Sequence, residues 1–118
     1  MTVSEARDKL KSALEKYREA RRELMNAQLQ VIRAEESLKL AMAKEYINIK
    51  ESAKASGEKI TEAELKERVT LAVKSDIEML TAAKSDKARA EYWFDVAEQN
   101  LKSVRALVNY IASKGGEA

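Results

Sequence analysis

Alanine returns at every seventh position from Ala6 through Ala13, Ala20, Ala27 and Ala34 to Ala41, and between them Leu10, Tyr17, Leu24, Val31 and Leu38 keep the same period. Alternating steps of three and four residues put both series on one side of an α-helix, as the a and d lines of a heptad repeat. Alanine along a whole line removes the bulk that ordinarily holds helix axes about 8–10 Å apart, so a partner helix can approach closely. After Ala41 the strict period slips. Apolar positions continue at Met42, Tyr46, Ile49 and Ala53, the signature of a four-residue stutter that locally unwinds the seam.

Nothing interrupts this helix early. The chain has no proline, and its first glycine is Gly57. Thr2 and Glu5 have the spacing of a capping box, so the helix is expected over about 3–56, roughly 80 Å at about 1.5 Å per residue. Gly57 reads as a left-handed stop. The restart is marked by Thr61 as N-cap, Glu64 as its capping-box partner, and Ile60 with Leu65 as a hydrophobic staple. Ser75 and Glu78 repeat the capping-box spacing. The second arm is therefore either a short helix at about 62–73 followed by one at about 76–113, or an unbroken helix through 74–75. Gly115 and Gly116 introduce a fraying tail at 114–118.

The second arm carries the same logic as the first. Leu80, Ala83, Lys87, Ala90, Phe94, Ala97, Leu101, Val104, Val108 and Ile111 alternate steps of three and four, with alanine again on one line. Folding back at 57–61 brings the two alanine lines together, with Ala41 near Ala83, Ala34 near Ala90 and Ala27 near Ala97. The expected fold is all-α: one elongated domain, a long antiparallel helical hairpin with a short helix or kink near its turn. A parallel coiled-coil dimer is the competing arrangement, but alanine fills such a core poorly. The composition agrees, since one phenylalanine, one tryptophan and three glycines are too few for an all-β chain, and 36% charged residues suit long solvated helices.

The seam does not consume all the apolar surface. Met25, Leu29, Ile32, Leu40 and Ile47 make a second stripe on the first helix, and Trp93, Val96, Leu107 and Tyr110 make one on the last. A two-helix hairpin has no third layer to cover them, and large exposed apolar patches mark interaction sites. A homo-oligomer is expected through these residues, against the alternative that they are scattered surface apolars.

Chemistry has few parts to work with. The chain lacks both cysteine and histidine, which excludes disulfides, thiol chemistry, thiolate or imidazole zinc sites and an imidazole base. The carboxylate pairs Glu35–Glu36 and Glu62 with Glu64 read as solvated charges and caps rather than as acid/base pairs or hard-metal ligands. No phosphate loop or nucleophile motif occurs. The protein is expected not to be an enzyme and to need no cofactor. No run approaches the ~20 apolar residues of a membrane span, and the N-terminus has no apolar signal core, so no membrane partner and a cytoplasmic location are expected.

A net charge of +2 is too small to argue for nucleic acid by itself, so the case rests on local clusters. Lys16, Arg18, Arg21 and Arg22 gather on the first arm; Lys84, Lys87 and Arg89, then Lys102 and Arg105, gather on the second. In the hairpin pairing above, residue 22 faces residue 102, so Arg18, Arg21, Arg22, Lys102 and Arg105 are expected at one level, where phosphates would be held with salt-sensitive affinity. Glu15, Glu19 and Glu23 oppose this reading if they neutralise the cations in i,i+4 pairs. Lys87 on the seam either snorkels or lines a channel. In Tyr92-Trp93-Phe94, packing and subunit contact claim Phe94 and Trp93, leaving Tyr92 available to stack bases.

The Ile32-x-Ala34 to Leu38-x-Leu40 run leading to Tyr46, the Glu64-Leu65-Lys66 stretch, and the Tyr92-Trp93 doublet followed by a basic, apolar helix resemble the phage UvsY-type recombination mediators. The resemblance spans about 32–111. It implies a small helical protein of the host cytoplasm that binds single-stranded DNA, assembles into rings and loads a recombinase while displacing the single-strand-binding protein. Where that family has a basic pair after the leucine matching Leu40, this chain has Ala41 and Ala43, with Lys39 and Lys44 as flanking substitutes. The alternative is a helical adaptor or inhibitor that grips a partner protein and touches no nucleic acid.

Overall fold

A computed structural model describes residues 1–114. Three helices follow in order: α1 (Val3–Ala55), α2 (Glu62–Ala72) and α3 (Lys74–Ser113). The chain is all-α and folds as an antiparallel helical hairpin, with α1 as one arm and α2 with α3 as the other. Its described residues pack as two compact units, one built from residues 1–27 with 87–114 and the other from Gln28–Asp86. The fraying expected of Gly115 and Gly116 lies outside the described residues.

The ends of the helices follow from local chemistry. The Glu5 backbone amide donates to Thr2 Oγ1 at 3.1 Å, and the Glu64 amide donates to Thr61 Oγ1 at 3.1 Å. Each hydroxyl thereby satisfies one of the amides that a helix start leaves without a partner. At the other end of α1, Gly57 takes φ 74°. Its amide donates to the Lys54 carbonyl at 3.2 Å, while that of Glu58 reaches back to the Ala53 carbonyl at 2.9 Å. These are the two bonds of a Schellman motif.

The turn is then clamped to α2. The guanidinium of Arg68 holds the Glu58 carboxylate with two hydrogen bonds, one of them Nη1 to Oε2 at 3.4 Å. That hydrogen bond, and then the charge behind it, holds the Glu58 carboxyl below its ordinary value and raises the Arg68 guanidinium. Tyr46 on α1 donates its hydroxyl to Glu62 Oε1 at 3.4 Å, tying the first turn of α2 to the first arm.

The junction of α2 and α3 is a single residue. Val73, with φ −104° and ψ 18°, departs from helical geometry, yet its amide still donates to the Val69 carbonyl and its own carbonyl accepts from the Ile77 amide, both at 3.0 Å. Regular bonding thus reaches Val73 from α2 and resumes from it into α3, while the helix itself is interrupted at that one residue. Ser75 sits inside α3 and caps nothing. The interruption falls on a buried row: Leu65, Val69 and Val73 are all nearly closed to water.

The seam holds the residues that the heptads assign to it. In the first unit Ala6, Ala13, Ala20, Leu101 and Ile111 are buried, and Tyr17 packs on Phe94 with ring centroids 5.3 Å apart. In the second, Val31 and Ala53 join Leu65, Val69 and Val73. Lys87 is half-buried, with its ammonium 3.9 Å from Glu91 Oε1, as a snorkelling side chain would be.

The register differs from expectation by one heptad. Ala34 shares a groove with Ala83, not Ala90, and Ala20 shares one with Ala97, which was expected beside Ala27. A period of seven on both arms makes the two registers equivalent along the alanine lines, so the connection decides between them. Six residues separate Ala55 from Glu62, and a link that short centres the fold-back between Glu58 and Lys59.

Candidate interaction surfaces

On the first unit, α1 and α3 leave a groove on one flank of their seam. Its floor is Ala20 and Ala97; Lys16, Glu19 and Glu23 edge it from α1, and Trp93, Val96 and Asn100 from α3, around about 430 Å³. Trp93 is 54% exposed there and Val96 42%. Tyr92 is also exposed and meets the edge of Trp93 in a T-shaped contact, centroids 5.1 Å apart. Of the other expected contact residues on this unit, Met25 and Tyr110 are exposed and Leu107 is half-buried.

A smaller groove of about 260 Å³ is lined by Tyr17, Glu98, Leu101, Lys102 and Arg105. It corrects the expected basic level. Lys102 and Arg105 gather around Tyr17, where the expected pairing set residue 102 opposite Arg22, because the one-heptad change of register moves them along the seam. Lys102 also places its ammonium 3.5 Å from Glu98 Oε1. Arg18, Arg21, Arg22, Lys102 and Arg105 are all exposed. Among the described residues Arg18, Arg21, Arg22 and Arg105 take part in no ion pair, and neither do Glu15, Glu19 and Glu23.

The second unit carries the rest of the apolar surface. Leu29, Ile32, Leu40 and Ile47 are all exposed, Leu40 most of all at 74%. Lys39 and Lys44 beside them are exposed and without an ion pair among the described residues. On this unit three exposed large apolar residues fall outside the expected stripe: Met42, Leu71 and Met79. Met42 continues the seam pattern after the stutter but, with Ala43 and Tyr46, rims an open groove of about 460 Å³ against Lys66, Val69 and Thr70. Met79 lines the Ala34–Ala83 groove. A signal for Met79 and Leu71 lies in the buried row of α2, from which both are displaced by helical spacing.

Among the described residues no helix is long and apolar enough to cross a membrane. In comparisons with family models, curated proteins and solved structures, none matches this chain.

Proposed function

We propose that this chain works by binding rather than by catalysis: a self-assembling helical scaffold that holds single-stranded DNA along exposed cations and helps load a recombinase onto it. The observation that carries the assembly half is the exposure of Leu29, Ile32, Leu40 and Ile47 on one helix. An apolar row of that length in water favours a covering surface, through an effect of roughly 25 cal/mol per Å² removed from solvent. The DNA half draws on Arg18, Arg21, Arg22, Arg105, Lys39 and Lys44, exposed cations with no carboxylate partner among the described residues. Each would release counterions on meeting a phosphate. Tyr92 offers an exposed ring for a base to stack on. The recombinase and the single-strand-binding protein enter as partners from the resemblance to UvsY-type mediators.

A helical adaptor that grips a partner protein is the second reading, favoured by the net charge of only +2 and by the pairing of Lys87 and Lys102 with carboxylates of their own helix. Fluorescence anisotropy of labelled single-stranded DNA separates the two. The mediator reading expects binding at about 50 mM salt that weakens steeply by about 200 mM. Absence of binding at the lower salt removes it. Sedimentation of the protein alone tests assembly, which a lone protomer at micromolar concentration would overturn.

A further inference from the structure

We infer that the groove over Ala20 and Ala97 is a two-fold self-association site, in which a second copy of this chain packs antiparallel to form a four-helix bundle. This rests on the assembly reading above and names the partner and its geometry. Each helix gives the groove one stripe at spacing i, i+3, i+4, i+7: Lys16, Glu19, Ala20 and Glu23 from α1; Trp93, Val96, Ala97 and Asn100 from α3. Its floor is made of methyl groups, so a visiting helix can come close. Its rim carries a half-exposed tryptophan, the side chain that most often anchors an interface.

Charge identifies the visitor. On α1 a cation stands at one end of the stripe and a carboxylate at the other, with the midpoint between Glu19 and Ala20. Turning the stripe end for end about that midpoint sets Lys16 of one copy against Glu23 of the other, and the pair occurs twice, as an isologous contact requires. The two Glu19 carboxylates flank the axis, one repulsion against two attractions. A two-fold axis along the helices would instead set α1 against α3 of the other copy, leaving Lys16 opposite Asn100 and Glu23 opposite Trp93 with no charge to pair with. On α3 the same rotation lays Val96 over Ala97, a larger side chain over a smaller one, and Trp93 over Asn100. Two hairpins joined in this way make a four-helix bundle. Arg18, Arg21 and Arg22 do not line the groove, so their cations stay open to phosphate.

The test uses the full chain in sedimentation velocity over a range of concentrations, together with tryptophan emission. Trp93 is the one tryptophan of the sequence, so its emission reports this groove. The expected result is a dimer, or an even-numbered assembly of dimers, whose formation shifts that emission to the blue. Lys16→Glu and Glu23→Lys each weaken association about tenfold, and combining them restores it. Rescue of this kind reports contact between copies, because positions seven apart on one helix are not side-chain neighbours. Trp93→Glu abolishes the dimer while far-UV circular dichroism stays helical. A chain that sediments as a monomer throughout overturns the inference together with the assembly reading. An oligomer indifferent to both charge reversals, or one not rescued by the double variant, overturns the two-fold geometry alone.

Discussion

Ala13 keeps 2% of its surface in water and Ala20 9%, yet a methyl group contributes little burial of its own. What these positions supply is proximity, since close backbones bring many atom pairs to contact distance at once, each pair adding about 0.1–0.2 kcal/mol. A larger side chain would push the arms apart. Ala13→Leu is therefore expected to destabilise the fold by about 1–3 kcal/mol through overpacking, read as a lower urea midpoint. Ala88→Leu, on an exposed position of α3, should stay within about 0.5 kcal/mol of the parent. Equal effects at the two sites would remove the close-packing account of the seam. Leucine at Leu101, 4% exposed, has the opposite role of filling space, and Leu101→Ala should cost about 2–5 kcal/mol.

At the scale of the elements, the connection between α1 and α2 is defined by three devices: the positive φ of Gly57, the Thr61 cap, and the Arg68–Glu58 pair. Nothing lies within 4 Å of a Cβ added at Gly57, so Gly57→Ala is strained by its backbone alone, at about 1–2 kcal/mol. Thr61→Ala should cost about 1 kcal/mol by leaving the Glu64 amide without its acceptor. Both are read by chemical denaturation. The ion pair makes a prediction of different sign. Because the native Glu58 carboxyl lies below its ordinary value of 4.5, its contribution is present above the unfolded value and disappears as pH falls through the native one. NMR titration should find Glu58 low in the parent and returned to the ordinary carboxylate range in Arg68→Met, and amide protection across 56–61 should fall in acid in the parent only. An unchanged Glu58 titration in the variant would mean that the pair does not persist in solution. These boundaries were legible in the sequence because capping residues act over three or four positions. The interruption at Val73 was legible only in outline: the Ser75 and Glu78 spacing suggested one nearby, but Ser75 lies inside α3, and the break falls at Val73, on the buried row of Leu65, Val69 and Val73.

For the molecule as a whole, the membership of the seam could be read from heptad spacing and its register could not. Both arms repeat at seven, so sliding one along the other by seven returns alanine to alanine, and no side-chain preference separates the alternatives. The short link from Ser56 to Thr61 does separate them, and with it the placement of every surface residue that draws on both arms. This is why the expected apolar stripes are exposed, apart from the half-buried Leu107, while Lys102 and Arg105 sit one heptad from their expected level: exposure depends mainly on one helix, and neighbourhood depends on two. The register has a direct test, because the sequence holds no cysteine and any thiol present is an introduced one. Ala20→Cys with Ala97→Cys, residues that share a groove, should close an intramolecular disulfide under mild oxidation. Ala27→Cys with Ala97→Cys, the pair of the alternative register, displaces one thiol by two helical turns, about 10.5 Å at about 1.5 Å per residue, beyond the roughly 7 Å between Cα atoms that a disulfide tolerates. Its thiols should stay reduced in the monomer fraction. The opposite pattern, with the second pair closing and the first remaining open, would restore the longer fold-back and return Arg22 to the level of Lys102.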